Sequence, residues 1–551
     1  MKLSYAGLKD RAAWESAGIR LPDYDWETTA AYTRANPVWV HFGGGSLVRG
    51  FHARLIQSLL EQGAVRSGLI TADTFDYEIV DRVYTPYDDL AIMVSLKPDG
   101  STEKEVVASI GESLRAGWDY PRDVVRLKEI FRAPSLQLIT FTITEKGYAL
   151  TDLEGNWLPA AQADFAAGPG GCAHAMGWVA ALLWERYQAG ALPLAVVSTD
   201  NCSQNGAKLR KGVLTMAEQW LARDFVSQAY MSWLRDEDQV SFPWTMIDKI
   251  TPHPSAAVER MLTDAGVEDM APVVTAKKSF VAPFVNAEVP QYLVMEDRFP
   301  NGRPPLEKAG VYMTDRDTVN KCERMKVSTC LNPLHTALAV YGCLLGYTSI
   351  AAEMRDPQLK ALVERIGLQE GMPAVRAPGI LDPSAFIRQV LEERFPNPFI
   401  PDTPQRIATD TSQKIPIRFG ETIKAYAARP ELDPKDLVCI PLVIAGWLRY
   451  LLALDDQGQP MECSGDPMLP QLQAQLAGVT LGQPESAAGK LTAILSNETL
   501  FGTDLVKLGL APRIEEMLAR LLAGKGAVRN TLIHYLGQNP QLDISFTNDI
   551  I

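Results

Sequence analysis

Two hydrophobic rhythms alternate between residue 38 and about residue 300. VWVHF at 38–42 and the later runs SGLITAD, LAIMVSL, LQLITFTIT and LAVVSTDN have the length and β-branched content of buried strands. VVASIGESLRAG and MGWVAALLWERYQAG instead repeat their apolar residues at helical spacing. Strands and helices in alternation predict βαβ units on a mainly parallel sheet. Residues 1–36 read as a polar, partly helical lead-in. Beyond about residue 320 the strand runs give out, and helical periods follow in HTALAVYGCLLGY, PQLKALVERIG, SAFIRQVLEERF, LVIAGWLRYLLAL and RIEEMLARLLAGKGA. The pattern predicts an α/β domain over 37–305 and an all-helical domain over 306–551, with no internal repeat.

The first strand runs into FGGGSLVRGF, after which Phe51, Leu55 and Leu59 recur at helical spacing. Gly43, Gly45, Ser46 and Leu47 therefore sit at a strand-to-helix turn, where backbone N–H groups and a helix N-terminus can receive a pyrophosphate. The dinucleotide pattern G-x-G-x-x-G is met at Gly43 and Gly45, but Val48 holds its third position and the next glycine is Gly50. A tight structural turn is the alternative. The second strand ends in Asp73 and Asp76, 28 and 31 residues past Gly45, later than the spacing of roughly 20 expected for a ribose-binding acid. A carboxylate there favours NAD by repelling the extra phosphate of NADP.

Length changes the picture little: 551 residues suggest two to four domains. Charge changes it more. A net charge of −13 and a pI near 5.1 argue against nucleic-acid or membrane-surface binding, which need a basic face. MKLSYAGLKDRAAWE lacks the apolar core of a signal peptide, so a cytoplasmic protein is expected. The best candidate span, residues 334–352, carries His335 and several small polar residues and reads as a buried core helix. Seven cysteines with no C-x-x-C pair fit reduced thiols. Cys322, Cys330 and His335 match no zinc spacing.

Three stretches carry polar residues in apolar surroundings, where burial needs a reason. LAVVSTDNCSQNG brings Asp200, Asn201 and Asn205 to a sheet edge, the usual ligand position in α/β proteins, although a plain Asx turn explains the same letters. KVSTCLNPLHTALAVYG contains Lys326, Asn332 and His335; taken locally, Asn332 and Pro333 make a helix N-cap and first turn. RFPNPFIPDTPQRIATDTSQKIP gathers Arg406, Asp410 and Lys414 near a helix end.

With these pieces in view, the chain resembles the long-chain polyol dehydrogenases, the family of mannitol dehydrogenase and the fructuronate and tagaturonate reductases. FGGGSLVRGF, STDNCSQNG, FPWTMIDKITP, EDRFPNGRPP, the Lys326–His335 segment, RFPNPFIPDTPQRIATDTSQKIP, GWLRYLLALDDQGQP and LFGTDL stand in family order from about residue 38 to 510. The resemblance implies an N-terminal Rossmann-like dinucleotide-binding domain, a helical C-terminal domain, a nicotinamide cofactor and no metal. It implies Lys326 as the base in alcohol oxidation and the acid in ketone reduction. Asn201 and Asn332 would bond the reacting oxygen, His335 and Arg406 would hold substrate hydroxyls, and Asp248 and Lys414 would complete the pocket.

Those roles make chemical sense. Hydride loss from a secondary alcohol builds negative charge on oxygen, which preset amide donors stabilise. Lysine, with an ordinary pKa of about 10.4, becomes a base near neutral pH only when burial or a neighbouring cation lowers it. The tyrosine-based alternative, Y-x-x-x-K, occurs only at Tyr5–Lys9, ahead of the glycine turn.

The chain also departs from the family pattern. The family spaces its lysine five residues before the asparagine, yet Lys326 and Asn332 are six apart, and a proline follows Asn332. On a regular helix one extra residue rotates the lysine by about 100°. A π-bulge or a break before Pro333 is therefore predicted. Leu47 also replaces the family's phenylalanine, and Phe51 stands where histidine is common. The activity expected is NAD-dependent interconversion of a keto sugar acid and its aldonate, fructuronate and mannonate foremost. NADP as cofactor, a neutral polyol as substrate, and a non-catalytic dinucleotide-binding protein are the alternatives. Oligomeric state is left open.

Overall fold

The strand Trp39–Phe42 (β1) is central to a six-stranded sheet in the computed structural model, which describes residues 1–152 and 154–538. The other strands are Leu69–Asp73 (β2), Ile110–Arg115 (β3), Leu138–Phe141 (β4), Leu194–Ser198 (β5) and Val240–Ser241 (β6). They lie in the order β3-β2-β1-β4-β5-β6 and every pair is parallel. Strand order reverses between β1 and β4, and the crevice beyond the carboxyl ends of strands at such a point is where doubly wound sheets bind ligands. The strands are buried on both faces because helices such as Ala53–Glu61, Pro121–Arg132 and Ala175–Gln188 cover them. Arg186, fully buried in the last of these, spends its donors on the carbonyls of Phe131, Ala133, Leu136, Leu192 and Pro193 and so ties two connections together.

Two readings need correction. VVASIGESLRAG is not a helix: its first residues end the strand Thr102–Val107, and Ile110–Arg115 is β3. Ile110 and Leu114 satisfy both a four-residue and a two-residue period, and the close packing of Gly111 on Thr33 suits a strand. The lead-in is also more than helical. Its Ile19–Arg20 pairs in parallel with Thr102–Val107, which continues through Ala91–Leu96 to Phe284–Glu288 in a second sheet.

By Cα proximity the chain divides into two units, Met1–Lys97 with Ser101–Asn320, and Pro98–Gly100 with Lys321–Ile551. The first extends past residue 305 because Tyr312–Thr314 adds a parallel strand to Tyr292–Glu296. The second is helical; residues 539–551, counted in the predicted helical domain, lie outside the described residues. Its middle helix, Asn332–Leu345, is apolar almost all round and packs on Cys439–Tyr450, where Gly446 lets Tyr341 approach and bond Leu442 O at 2.7 Å. Among the described residues no helix is long and apolar enough to cross a membrane, and no group of three His, Cys, Asp or Glu side chains could hold a metal ion. All seven cysteines are free.

Candidate active site

The glycine turn follows β1, and each of its carbonyls is tied inward. Gly43 O accepts from Thr71 Oγ1 at 3.4 Å, Gly44 O from Tyr84 Oη at 3.0 Å, and Gly45 O from Arg49 Nε at 3.5 Å. Gly43 has φ of +121°, and a Cβ there would lie 2.6 Å from Thr142 O, so only glycine fits. Beside Gly45 there is open space. With the carbonyls held inward, the opening amides of the helix that begins at Ser46 are the orphan donors of a helix start. Beneath them Arg49 is fully buried with no acidic partner among the described residues, and its Nη2 is unbonded. A glycine turn, a helix start and an uncompensated cation fit the pyrophosphate of a dinucleotide. The helix widens into a π segment at Val48–His52, and Gly50, not position 48, makes the close approach to the second sheet, 2.8 Å from Val285 for an added Cβ.

Asp73 and Asp76 lie where the second strand was expected to deliver its acid, but neither presents a free carboxylate. Asp73 accepts from the amides of Gly44, Phe75 and Asp76, and burial pushes its carboxyl upward. Asp76 accepts from Thr275 Oγ1 at 2.6 Å. Asp73 thus shapes the turn itself, with one of its lone-pair sites left over.

At the end of β5 the three polar residues separate. Asp200 binds the amides of Ile143 and Thr144 and the hydroxyl of Tyr148, while Asn205 links Asp200 O to Thr245, so both serve the architecture. Asn201 is exposed. Asp248 ends the strand Thr245–Asp248 and is buried.

In the helical unit, the helix Arg316–Met325 gives way to a π segment at Lys326–Cys330, closed by Leu331 N–H donating to Lys326 O at 3.1 Å. Leu331 then breaks the helix, with φ of −133°, and Asn332–Leu345 starts anew. Each π turn holds one residue more than an α turn and absorbs the extra residue between Lys326 and Asn332, as the spacing predicted. Lys326 is 1% exposed.

One turn on, His335 packs against Phe395 with the rings tilted by 34° and their centroids 5.0 Å apart, and its Nε2 is buried without a hydrogen bond, 3.5 Å from Asp402. Burial, then the cations Arg418, Arg406, Arg394 and Lys414, drive its pKa down to about 3, so the imidazole is neutral and Asp402 gains no ion pair from it. Asp402 instead holds Arg406. Lys414 donates to the carbonyls of Ile407 and Thr409, and burial together with Arg418 lowers it to about 8. Of these four cations, the sequence pointed to Arg406 and Lys414 and missed Arg394 and Arg418. A signal existed: Lys414 and Arg418 stand four apart on one helix, where like charges repel and need a reason.

Residues 38–308 match the mannitol dehydrogenase Rossmann domain and residues 318–522 the mannitol dehydrogenase C-terminal domain. The chain is 52% identical to a D-mannonate oxidoreductase of Thermotoga maritima, over 98% of this chain and 99% of that protein. It is 30% identical to a polyol:NADP oxidoreductase of Gluconobacter oxydans, over 84% and 88% respectively. The solved Pseudomonas fluorescens mannitol 2-dehydrogenase, a ternary complex with NAD and D-mannitol, is similar with a TM-score of 0.69 at 27% identity, covering 98% of this chain and 100% of that one. With both domain models matched in order and a relative similar from end to end, the chain belongs to the mannitol dehydrogenase family.

Proposed function

We propose that the protein is an NAD-dependent oxidoreductase that interconverts a keto sugar acid and its aldonate, D-fructuronate and D-mannonate. The observation that carries the substrate class is the crowding of four cations around the neutral His335, which a neutral polyol does not call for. The full-length likeness to a D-mannonate oxidoreductase supports the same choice.

When bound, the nicotinamide cofactor supplies the hydride in reduction and takes it in oxidation. The chain handles the proton. Lys326 gives a proton to the ketone oxygen in reduction and takes it from the alcohol oxygen in oxidation, shielded from bulk water by its burial. Asn332 donates to the same oxygen and stabilises its developing charge, with Asn201 proposed as a second donor. His335 Nε2, unbonded within the protein, takes a substrate hydroxyl, and Arg406, Lys414 and Asp248 bind the rest of the sugar. The turn at Gly43, Gly45, Ser46 and Leu47 holds the pyrophosphate, and Asp73 takes a ribose hydroxyl. Asp76, committed to Thr275, supports the turn from behind.

NADH consumption by the purified protein, measured in parallel with fructuronate, tagaturonate, fructose and xylulose, tests the reading. Strong turnover confined to fructuronate is expected. Turnover with neutral ketoses alone would move the protein to the polyol branch, and silence on all four would leave a non-catalytic dinucleotide-binding protein.

A further inference from the structure

We infer that Arg418 binds the carboxylate of the sugar-acid substrate and is the residue that separates sugar acids from neutral sugars. This rests on the reading of the substrate as a sugar acid. Of the four cations around His335, three are otherwise engaged. Arg406 is 63% exposed and paired with Asp402. Lys414 gives its ammonium to the carbonyls of Ile407 and Thr409. Arg394, buried to 4% exposure, is already engaged by other groups of the protein.

Arg418 differs from all three. Its Nη1 donates to Thr336 Oγ1 at 2.5 Å and reaches Asn332 O at 3.4 Å, which pins the guanidinium against the turn carrying Asn332 and His335. No acidic side chain pairs with it among the described residues. Burial alone lowers its pKa, to about 10, with no anion opposing the shift. A guanidinium has five donors in a planar fork, and anchoring through Nη1 leaves the Nε and Nη2 edge, the geometry that matches a carboxylate bidentately. A half-buried charge without a counterion is unfavourable in the free protein. It becomes favourable when the substrate brings the counterion, beside the groups that hold the rest of the sugar.

The experiment compares the wild-type enzyme with Arg418→Gln and Arg418→Lys, reading kcat and KM for fructuronate, the weak residual kcat/KM for fructose at high enzyme concentration, and the melting temperature. Loss of a charged hydrogen-bonded contact predicts that Arg418→Gln raises KM for fructuronate ~10- to 100-fold. Its kcat/KM for fructose should stay within about threefold, and its melting temperature should not fall, because an unpaired buried charge has been removed. Arg418→Lys keeps the charge without the fork and should fall between. An unchanged KM for fructuronate, or equal losses on both sugars with a lowered melting temperature, would overturn the assignment. If the glutamine variant does not fold, the lysine variant decides: a loss confined to fructuronate supports the role, and equal losses overturn it. A wild-type enzyme inactive on fructuronate but active on fructose would instead remove the underlying reading.

Discussion

The amide of Leu331 donates to the carbonyl of Lys326 across 3.1 Å, a step of five residues where a regular helix takes four. This wider turn accommodates the residue by which the chain departs from its family's spacing. Deleting Ser328 restores the shorter interval and removes the need for the π turn, so turnover is expected within about tenfold of wild type. Inserting one alanine after Ser328 rotates Lys326 by about 100° and should abolish turnover while leaving the protein folded. Equal activity in the deletion and insertion variants would sever the link between π turn and chemistry.

Lys414 predicts a pH dependence. Its ammonium, ordinarily at 10.5, falls to about 8 because burial and Arg418 disfavour the charge. Below pH 8 the third N–H of the ammonium remains for substrate after two carbonyls are served. Above pH 8 that donor is lost, so KM for the keto acid should climb with pH, while Lys414→Gln should show a high KM without the climb. Because the folded pKa lies below the unfolded one, Lys414 opposes folding below pH 8 and the opposition is relieved between 8 and 10.5. A wild-type KM flat from pH 7 to 9.5 would contradict this.

Glu353 is a second titration, one of stability. It is 0% exposed, neither oxygen has a hydrogen bond, and burial pushes it up to about 9. A folded pKa above the unfolded value of 4.5 means that its contribution is full at low pH and is lost as pH rises toward 9. Glu353→Met should therefore gain stability over wild type by up to ~1.4 kcal/mol per pH unit across that window, measured by urea unfolding at several pH values. Parallel stability curves for the two proteins would show that the carboxyl is satisfied in solution.

Arg186 predicts the opposite effect of removing a buried charge. Its donors serve five carbonyls, of which Leu136 O and Ala133 O have a second donor in Asn301 Nδ2 and Leu136 N, so Arg186→Leu strips the buried carbonyls of Phe131, Leu192 and Pro193 of this partner and should destabilise the first unit by about 3–5 kcal/mol. Thermal unfolding measures this; a loss below 1 kcal/mol would mean that water replaces the guanidinium.

Much of the fold was legible because it rests on local patterns. The five main strand runs, the glycine turn after β1 and the long apolar helix at 332–345 are all written in contiguous residues. VVASIGESLRAG misled because six residues of a strand can carry apolar groups at positions that suit a helix equally well. At the proposed site, family order pointed to Lys326, Asn332 and His335, and a count of residues foretold the π turn. Arg418 lay two residues beyond the motif and went unread, since no local pattern says which cations of a basic segment already have partners.

The sequence by itself determined the alternation of strand and helix, the switch to an all-helical second half, the glycine turn and the order of the family's motifs, because hydrophobic period and turn chemistry act over a few residues. Tertiary structure decided which polar groups are spent and which are free. Asp76 is taken by Thr275, 199 residues away, whereas Arg49 gives Nη1 to Ala282 O, 233 residues away, and keeps Nη2 unbonded. Burial then set the neutrality of His335 and the depressed pKa of Lys414. Desolvation and counterions belong to positions in space, and those exist only after the chain has brought distant segments together.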